Sequence, residues 1–284
     1  MDAPYGRPLA CEPGIVRLLA PNPSPYTFTG TQVHLVGEAE LAIIDPGPDT
    51  PEHLDALLAA IAGRPVAAIL ITHTHRDHSP ASRPLSQRTG APIIGCAPLS
   101  LDEQGPRADA GFDHRYSPDR VLADGEAISV GGRSLRAVHT PGHTSNHLCF
   151  ADESSAALFS GDHVMGWSTS VVIPPDGDMG DYMRSLEKLL GRGDRIYYPA
   201  HGEPVGEPQR LVRGMLTHRV QRERQILRLI GEGARTIEAV VAAAYPGLDP
   251  RLLPAAGASV LAHLLDLQRR GLVQNEEEQW SLQA

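Results

Sequence analysis

Cysteine is scarce in this 284-residue chain, which has only three cysteines. An odd number of widely spaced cysteines does not suit the disulfide framework that stabilises many small secreted domains. Cysteine is also among the residue types most often buried as a free thiol. We therefore expect Cys11, Cys96 and Cys149 to be reduced and to have structural roles.

Long apolar segments are missing as well. The run at residues 67–71 is one of the longest, and it is far shorter than the roughly 20 residues that a membrane-spanning helix needs. Residues 1–15 contain Asp2, Glu12 and three prolines, without a basic start followed by an apolar stretch, so a signal peptide is not expected. The sequence predicts a protein without membrane contact, located in the cytoplasm.

Positive charge is limited, because 25 basic residues face 34 acidic ones and Lys188 is the only lysine. Residues 1–205 have a formal charge of −10, whereas residues 206–284 have a charge of +1. A strongly acidic first part is not typical of a general nucleic-acid binder. It does not exclude one, because bound metal ions would add local positive charge.

The hydrophobic pattern predicts strands that alternate with helices, and therefore an α/β architecture. The segment 32–45 is expected to form two strands joined by a turn at Gly37-Glu38. Further strands are expected at residues 67–72, 93–94, 127–138 (interrupted by a turn at Gly131-Gly132), 148–150, 157–159 and 195–198. Helices are expected at residues 51–62 and 181–190. The length is sufficient for a catalytic domain and a small second domain.

The character of the sequence changes at the proline- and glycine-rich passage 203–208. Beyond it we expect helices at residues 209–230, 236–244 and 256–270, then paired strands at residues 272–274 and 279–282. Thr236 is a candidate cap for the second of these helices. Three helices followed by a hairpin is the order of a winged-helix domain.

This order predicts a catalytic domain at residues 1–206 and a winged-helix-like domain at residues 207–284. The alternative for the second part is a helical lid or a dimerisation element. A homodimer is therefore one of the assemblies that the sequence leaves open.

The most informative segment directly follows the apolar run 67–72. It places four potential metal ligands within six residues: His73, His75, Asp77 and His78. These side chains cannot all face inward along one helix or strand, but a loop can fold them around a metal centre. Imidazole nitrogens and a carboxylate suit zinc and its first-row neighbours. The spacing HxHxDH after an apolar strand therefore predicts a metal site.

Three further positions repeat one design, in which an apolar strand and a glycine-containing turn accompany a potential ligand. His143 lies in the segment TPGHT, Asp162 in FSGD and His201 in YPAHG. Each position alone is also compatible with a structural role. Together with HxHxDH they predict one composite site.

The ordered set HxHxDH, PGH, SGD and AHG resembles the metallo-β-lactamase superfamily. It is closer to the glyoxalase II and nuclease branch than to the class B lactamases, because Asp77 occupies a ligand position. The segments 159–162, 181–186 and 218–227 further resemble the β-lactamase-like protein 2 subfamily, which carries a C-terminal winged-helix domain. Animal members of that subfamily are associated with cleavage of single-stranded RNA.

The resemblance implies an αββα sandwich with two divalent metal ions. In this family pattern, the first ion would be held by His73, His75 and His143, the second by Asp77, His78 and His201, and Asp162 would bridge both. Zinc is the expected metal, and iron and manganese stay open because these ligands suit all three.

Such a site implies hydrolysis by a hydroxide that bridges the two metals, because two metal ions lower the pKa of a shared water from about 15.7 toward neutrality. The hydroxide would attack a carbonyl carbon or a phosphorus. Asp77 and Asp162 are the candidate catalytic residues, since they would orient it as well as bind metal. Asp45, before Pro46-Gly47, is either a partner for a ligand histidine or a plain turn residue.

Other polar residues near the ligands give weaker indications. The loop 166–170 either presents hydroxyls to a substrate or is merely solvated. His139, His147 and His163 are expected to be structural, because adjacent residues of a strand point to opposite faces. The helix 209–230 carries six arginines, for which we expect a solvated or salt-bridged face and consider phosphate contact as the alternative: Arg210, Arg213, Arg219, Arg222, Arg224 and Arg228.

Three functions remain open at this point. The first is hydrolysis of a small thioester, ester or lactone, favoured by the acidic catalytic part. The second is endonucleolytic cleavage of single-stranded RNA, favoured by the subfamily resemblance and the basic helix. The third is nucleic-acid binding by a winged-helix protein with a metal-sensing domain, against which the complete ligand set argues. Only 57 residues separate His143 from His201, too few for the large inserted domain of the β-CASP nucleases.

Overall fold

The computed structural model describes residues 4–99 and 111–283, and its first sheet has seven strands that lie side by side in chain order. The first four strands form antiparallel pairs with one another, and the last four run parallel. The strands are β1 (Pro8–Glu12), β2 (Ile15–Leu19), β3 (Gln32–Val36), β4 (Leu41–Ile44), β5 (Val66–Ile71), β6 (Ile93–Gly95) and β7 (Arg120–Val121).

The second sheet has five strands in the order β12-β11-β10-β9-β8. Strand β12 is parallel to β11, and the other pairs are antiparallel. The strands are β8 (Ala127–Val130), β9 (Arg133–His139), β10 (Leu148–Asp152), β11 (Ala157–Gly161) and β12 (Ile196–Pro199).

Three helices flank the sheets: α1 (Pro51–Ile61), α2 (Ser82–Thr89) and α3 (Met179–Leu190). Helix α1 begins with a proline in its first turn, where the missing N–H is tolerated. Helix α3 begins at a cap in which the Asp178 side chain accepts a hydrogen bond from the backbone N–H of Asp181.

The two sheets pack face to face between helical layers. Ile43 and Ile69 of the first sheet share a buried core with Phe150 and Phe159 of the second. On the opposite face of the second sheet, Cys149 packs in a separate core with residues of α3. This alternation along β10 is what a strand buried on both faces requires, and it confirms the αββα sandwich.

The C-terminal part contains α4 (Pro208–Gly231), α5 (Ile237–Ala244), a short 3-10 turn (Pro250–Leu252), α6 (Leu253–Arg269) and a hairpin of β13 (Val273–Glu276) and β14 (Gln279–Leu282). Its own core includes Ile226, Val240, Leu264 and Trp280. The Thr236 hydroxyl caps α5 by accepting from the N–H of Ala239, as expected. The winged-helix order of elements is confirmed.

Several short elements were not expected from the sequence, namely β1, β2, α2 and β7. Strand β1 is half exposed, and α2 buries only Ser82 and Leu85, so neither produces a clear hydrophobic period. Helix α6 also begins three residues earlier than predicted, because Pro254 lies in its first turn. Among the described residues, no helix is long and apolar enough to cross a membrane.

Candidate metal centre

The seven predicted ligands meet where four strands end. Strand β5 leads into the segment that contains His73, and β11 and β12 lead directly to Asp162 and His201. His143 follows β9 through a turn in which Gly142 has φ +136° and lies against α3. A Cβ on Gly142 would come within 2.3 Å of the Cα of Tyr182, so only glycine permits this approach.

One group of ligands contains His73, His75, His143 and Asp162, all buried. The Nδ1 of His75 lies 3.0 Å from the Nε2 of His73 and 3.1 Å from the Nε2 of His143. The Oδ2 of Asp162 lies 3.7 Å from the Nε2 of His143. Ligand atoms about 2.0–2.1 Å from a common ion have mutual distances of this size in tetrahedral zinc sites.

The second group contains Asp77, His78 and His201, also buried. The Oδ2 of Asp77 lies 3.2 Å from the Nε2 of His78 and 3.1 Å from the Nε2 of His201. The other carboxylate oxygen of Asp162, Oδ1, lies 3.5 Å and 3.3 Å from the same two nitrogens. Asp162 therefore faces both groups, one with each oxygen.

The buried polar atoms of this site include two that have no hydrogen bond to any described residue. They are the Nε2 of His78 and the Oδ1 of Asp162. Buried polar groups are nearly always satisfied, and these two point toward a common space among the other ligand atoms. The donor set of imidazole nitrogens and carboxylate oxygens therefore fits two divalent ions of the zinc type.

The far side of His78 is held by Asp45. The Nδ1 of His78 lies 3.0 Å from the Oδ2 of Asp45. The same carboxylate accepts hydrogen bonds from the backbone N–H and the hydroxyl of Thr72, at 2.8 Å and 2.7 Å. A carboxylate behind a ligand histidine fixes the ring orientation and tautomer. Asp45 thus contacts a predicted ligand histidine, as the partner interpretation requires.

Backbone carbonyls hold two other histidines, and no sequence motif indicated this. The Nδ1 of His143 donates to the carbonyl of Val171 at 2.6 Å, and the Nδ1 of His201 donates to the carbonyl of Gly30 at 3.1 Å. Each arrangement leaves Nε2 directed into the site. Because any residue type supplies a backbone carbonyl, no side-chain pattern can reveal these partners.

Charge interactions within the site shift the pKa values of its members in opposite directions. Burial disfavours the charged form of His78, but Asp77 and Asp162 outweigh burial and hold its pKa well above the ordinary value. Burial also disfavours the charged forms of Asp77 and Asp162, but the nearby histidines outweigh it and hold both pKa values well below the ordinary range. Carboxylates that stay charged are suited to bind cations.

His201 and His73 show the two extremes among the histidines. For His201, the attraction of Asp162 and Asp77 overcomes burial and raises the pKa to about 10. For His73, burial and the neighbouring histidines hold the pKa well below its ordinary value. The His73 ring therefore favours its neutral form, which is the form that binds a metal, whereas His201 would have to lose a proton to bind one.

The cleft above these ligands has an apolar wall. Tyr26, Met165 and Val171 line it together with the ligands. On the two segments that supply Tyr26 and Met165, the rings of Phe28 and Trp167 stack with their centroids 4.9 Å apart. Both rings are exposed, by 47% and 38%, and each follows a cleft-lining residue by two positions. The cleft thus offers apolar and aromatic surface beside the charged site.

The three histidines expected to be structural have different surroundings. His147 is buried, and its Nε2 accepts the backbone N–H of Asp162 at 3.2 Å. It therefore supports a ligand, which the alternation argument did not predict. His163 is fully buried, and His139 is exposed at the end of β9.

The hydroxyl-rich loop 166–170 is partly exposed, and only Ser170 in it is buried. The hydroxyl of Ser170 donates to the carbonyls of Asp162 and His163 at 2.5 Å and 2.8 Å, and the hydroxyl of Ser168 donates to the carbonyl of Thr169. Neither alternative considered for the loop as a whole describes the hydroxyl of Ser170. It is satisfied by the backbone next to a ligand.

Four of the six arginines of α4 are exposed, and two of these four form ion pairs with nearby glutamates, as expected for a solvated or salt-bridged face. The other two differ. Arg219 is buried, and its guanidinium lies 5.3 Å from the centroid of the Tyr182 ring. Arg222 lies 4.1 Å from the centroid of the Tyr245 ring. Arg213 and Arg224 are exposed. A sequence count of arginines did not distinguish these environments, because the two buried or stacked residues are fixed by contacts with distant segments.

Two family profiles match the chain. Residues 26–201 match the Metallo-beta-lactamase superfamily, and residues 236–280 match the Beta-lactamase associated winged helix domain. The chain is 29% identical over 285 residues to the Lactamase-like protein ptaB of Pestalotiopsis fici, covering 96% of this chain and 84% of that protein.

A second relative is the Atrochrysone carboxyl ACP thioesterase of Aspergillus fumigatus, which is 34% identical over 221 residues. The match covers 76% of this chain and 64% of the thioesterase, so the matched part spans less than two thirds of that relative.

Two solved structures are similar over nearly the whole chain. A metallo-beta-lactamase family protein from Thermus thermophilus has a TM-score of 0.79 at 25% identity and covers 96% of this chain and 100% of its own. A beta-lactamase domain protein from Burkholderia ambifaria has a TM-score of 0.80 at 19% identity and covers 98% and 94%, a likeness of fold. The chain therefore belongs to the metallo-β-lactamase superfamily, as a hydrolase that carries the associated winged helix domain behind its metal-binding domain.

Proposed function

We propose that the protein hydrolyses a thioester or ester, with a lactone as the related third option, at a site that holds two divalent metal ions. The observation that carries this proposal is the position of Asp162, whose two carboxylate oxygens face the two separate ligand groups. His73, His75 and His143 would hold one ion, and Asp77, His78 and His201 the other.

Two divalent cations held there would lower the pKa of water toward neutrality and polarise a carbonyl group. The chain itself supplies the positioning. Asp77 and Asp162 keep their negative charge and orient the attacking water toward the carbonyl carbon. The Asp77 carboxylate accepts a 3.4 Å hydrogen bond from the hydroxyl of Thr31, which fixes its direction. The apolar wall of Tyr26, Met165 and Val171 holds bulk water away from the reacting carbonyl.

Two observations support an acyl substrate. The cleft combines the charged site with the exposed Phe28–Trp167 pair, which suits an apolar acyl group. Two similar relatives are named as atrochrysone carboxyl ACP thioesterases. The thiolate of a thioester is a good leaving group. The step that the site must promote is therefore the attack of activated water on the carbonyl carbon.

Cleavage of single-stranded RNA receives less support. Of the arginines considered for phosphate contact, Arg219 and Arg222 interact with aromatic rings inside the protein. The hairpin of the C-terminal part carries three consecutive glutamates, at residues 276–278, and these would repel a polyanion. A role as a metal-sensing nucleic-acid binder is disfavoured for the same reason and by the complete ligand set.

The test is an activity panel on purified protein loaded with zinc, manganese or iron. It covers acyl thioesters, lactones, bis-p-nitrophenyl phosphate and single-stranded RNA. We expect thioester or ester hydrolysis that chelation abolishes and metal restores. Cleavage of RNA or of the phosphodiester without any acyl hydrolysis would contradict the proposal.

Several finer expectations stay predictions. Elemental analysis should find about two metal ions per chain, with zinc as the native metal. Limited proteolysis would test the division into residues 1–206 and 207–284. Cell fractionation would test the cytoplasmic location, and light scattering would test a homodimeric assembly.

A further inference from the structure

Arg219 is a buried charge in the middle of α4, with 5% of its surface exposed. One of its terminal nitrogens donates to the backbone carbonyl of Ser170, and its guanidinium lies over the ring of Tyr182. Its Nε has no hydrogen-bond partner among the described residues. Within the same residues, no carboxylate forms an ion pair with it.

A buried charge without a counter-charge does not stabilise a fold by itself. Transfer of an ion out of water is costly, and apolar residues of similar volume often replace buried ionic groups without loss of stability. The packing of α4 on α3 therefore does not require an arginine here. The role of this arginine is indicated instead by the group that accepts its hydrogen bond, the backbone carbonyl of Ser170.

That hydrogen bond reaches a segment that contacts two metal-ligand positions. The hydroxyl of Ser170 donates to the backbone carbonyl of Asp162 at 2.5 Å. The next carbonyl, that of Val171, accepts from the Nδ1 of His143 at 2.6 Å. The dipeptide 170–171 thus lies between Arg219 on one side and the two ligand residues on the other.

We propose that Arg219 is a positioning residue for the metal centre. Its guanidinium holds the dipeptide 170–171 in place, and this dipeptide in turn fixes the ring of His143 and the backbone of Asp162. The helix that leads into the winged helix domain thereby helps to complete the metal site of the catalytic domain. This inference rests on the proposed metal site, although not on the identity of the substrate.

The alternative is that Arg219 merely fills space between α3 and α4. The two roles predict different effects when Arg219 is replaced by a neutral side chain of similar length. A space-filling role is satisfied by methionine, which packs well in irregular gaps. A positioning role needs a donor for the Ser170 carbonyl, which lysine retains and methionine lacks.

The experiment compares Arg219→Met and Arg219→Lys with Arg224→Met, a control at an exposed position on the same helix. Three quantities are measured: metal affinity by competition with a chelator, the absorption spectrum of the cobalt-substituted protein, and the unfolding temperature of the metal-free protein. Partners behind ligands typically contribute 10- to 100-fold to metal affinity.

We expect Arg219→Met to lower metal affinity by about 10- to 100-fold and to change the cobalt spectrum. The unfolding temperature of the metal-free protein should change little, because loss of a hydrogen bond and relief of a buried charge oppose each other. Arg219→Lys should show an intermediate affinity, and Arg224→Met should match the wild type.

Two results would overturn the proposal. One is an unchanged metal affinity in Arg219→Met. The other is a loss of metal affinity in Arg219→Met and Arg219→Lys that is accompanied by an equal destabilisation of the two variants. If neither variant folds, Arg219→Leu, which also lacks a donor for the Ser170 carbonyl, takes the place of Arg219→Met, and wild-type metal affinity in that variant would also overturn the proposal. Wild-type protein that binds two metals but hydrolyses no acyl substrate would contradict only the proposed function. Wild-type protein that binds no metal would contradict both.

Discussion

At the scale of single residues, Asp162 differs from the other ligand positions because its two oxygens face different histidines. Oδ2 faces His143, whereas Oδ1 faces His78 and His201. Its backbone is held on both sides, by His147 at the N–H and by Ser170 at the carbonyl. Such restraint fixes a ligand before metal arrives, which lowers the entropy cost of binding.

The first prediction concerns this carboxylate. Asp162→Ala should leave about one metal ion per chain and lower kcat/KM by more than about a hundredfold, because loss of a ligand exceeds the usual effect of losing a partner behind one. Elemental analysis and steady-state kinetics measure both. Asp181→Ala, which removes a half-exposed carboxylate paired with Arg184, is the control. Full metal content and wild-type turnover in Asp162→Ala would disprove its assigned role.

A second prediction concerns Asp45, which does not face the cleft. Asp45→Asn keeps the shape of the side chain but replaces one of the two oxygens that accept from Thr72 and His78. Metal affinity should fall by about 10- to 100-fold, while the native fold persists by circular dichroism. An affinity equal to that of the wild type would show that His78 does not need this partner.

The third prediction follows from the raised pKa values of His78 and His201. A raised pKa means that both rings are protonated at neutral pH in the metal-free protein, so metal must displace these protons. Apparent metal affinity should therefore rise with pH up to about 10, where His201 loses its proton by itself. Calorimetry in buffers of different ionisation enthalpy would count the released protons. Binding without proton release would contradict the prediction.

At the scale of elements, α4 serves two cores at once. Val212 and Met215 pack with Tyr182 against the second sheet, whereas Ile226 and Leu229 belong to the core of the C-terminal part. A helix of 24 residues can do this because it is about 36 Å long. The winged helix domain is thus attached through a continuous helix rather than through a flexible linker.

The fourth prediction is that a chain cut after Gly206 is unstable. It would expose the α3 surface covered by Val212 and Met215, each of which contributes about 1.5–3 kcal/mol by burial. Thermal unfolding of the truncated chain should begin well below that of the full chain, with loss of activity. A truncated chain as stable and as active as the whole would show that the segment is dispensable.

At the scale of the whole molecule, the distribution of charge disfavours the binding of long polyanions. The first 205 residues carry −10, and the arginines of α4 are divided between buried, stacked and exposed positions. Because long-range attraction depends on clustered charge of one sign, the few exposed arginines form no strong phosphate-binding surface.

The fifth prediction tests this arrangement. Replacement of the exposed residues Arg210, Arg213 and Arg224 with alanine should leave acyl hydrolysis unchanged. The RNA affinity of the same variant, measured as a function of salt concentration, should equal that of the wild type, for which we expect only nonspecific binding. A weaker affinity with a flatter salt dependence would mean that these residues contact phosphates.

The sequence by itself determined which residues are the candidate ligands and, for most elements, their order along the chain. HxHxDH, PGH, SGD and AHG are local patterns, in which residue type and the end of an apolar strand are encoded together. Most strands and helices of the sandwich follow from hydrophobic periods within single segments, whereas β1, β2, α2 and β7 do not. Such information does not depend on how distant segments pack.

The tertiary structure alone decided how those positions are supported. That Asp162 faces both groups, that the carbonyls of Gly30 and Val171 hold two histidines, and that Arg219 is buried all require contacts between segments far apart in the chain. Every residue type has a backbone carbonyl, so the sequence does not show which carbonyls hold a histidine. The sequence also does not show whether an arginine is solvated or buried. These features depend on the packing of the layers, which no single segment of the sequence specifies.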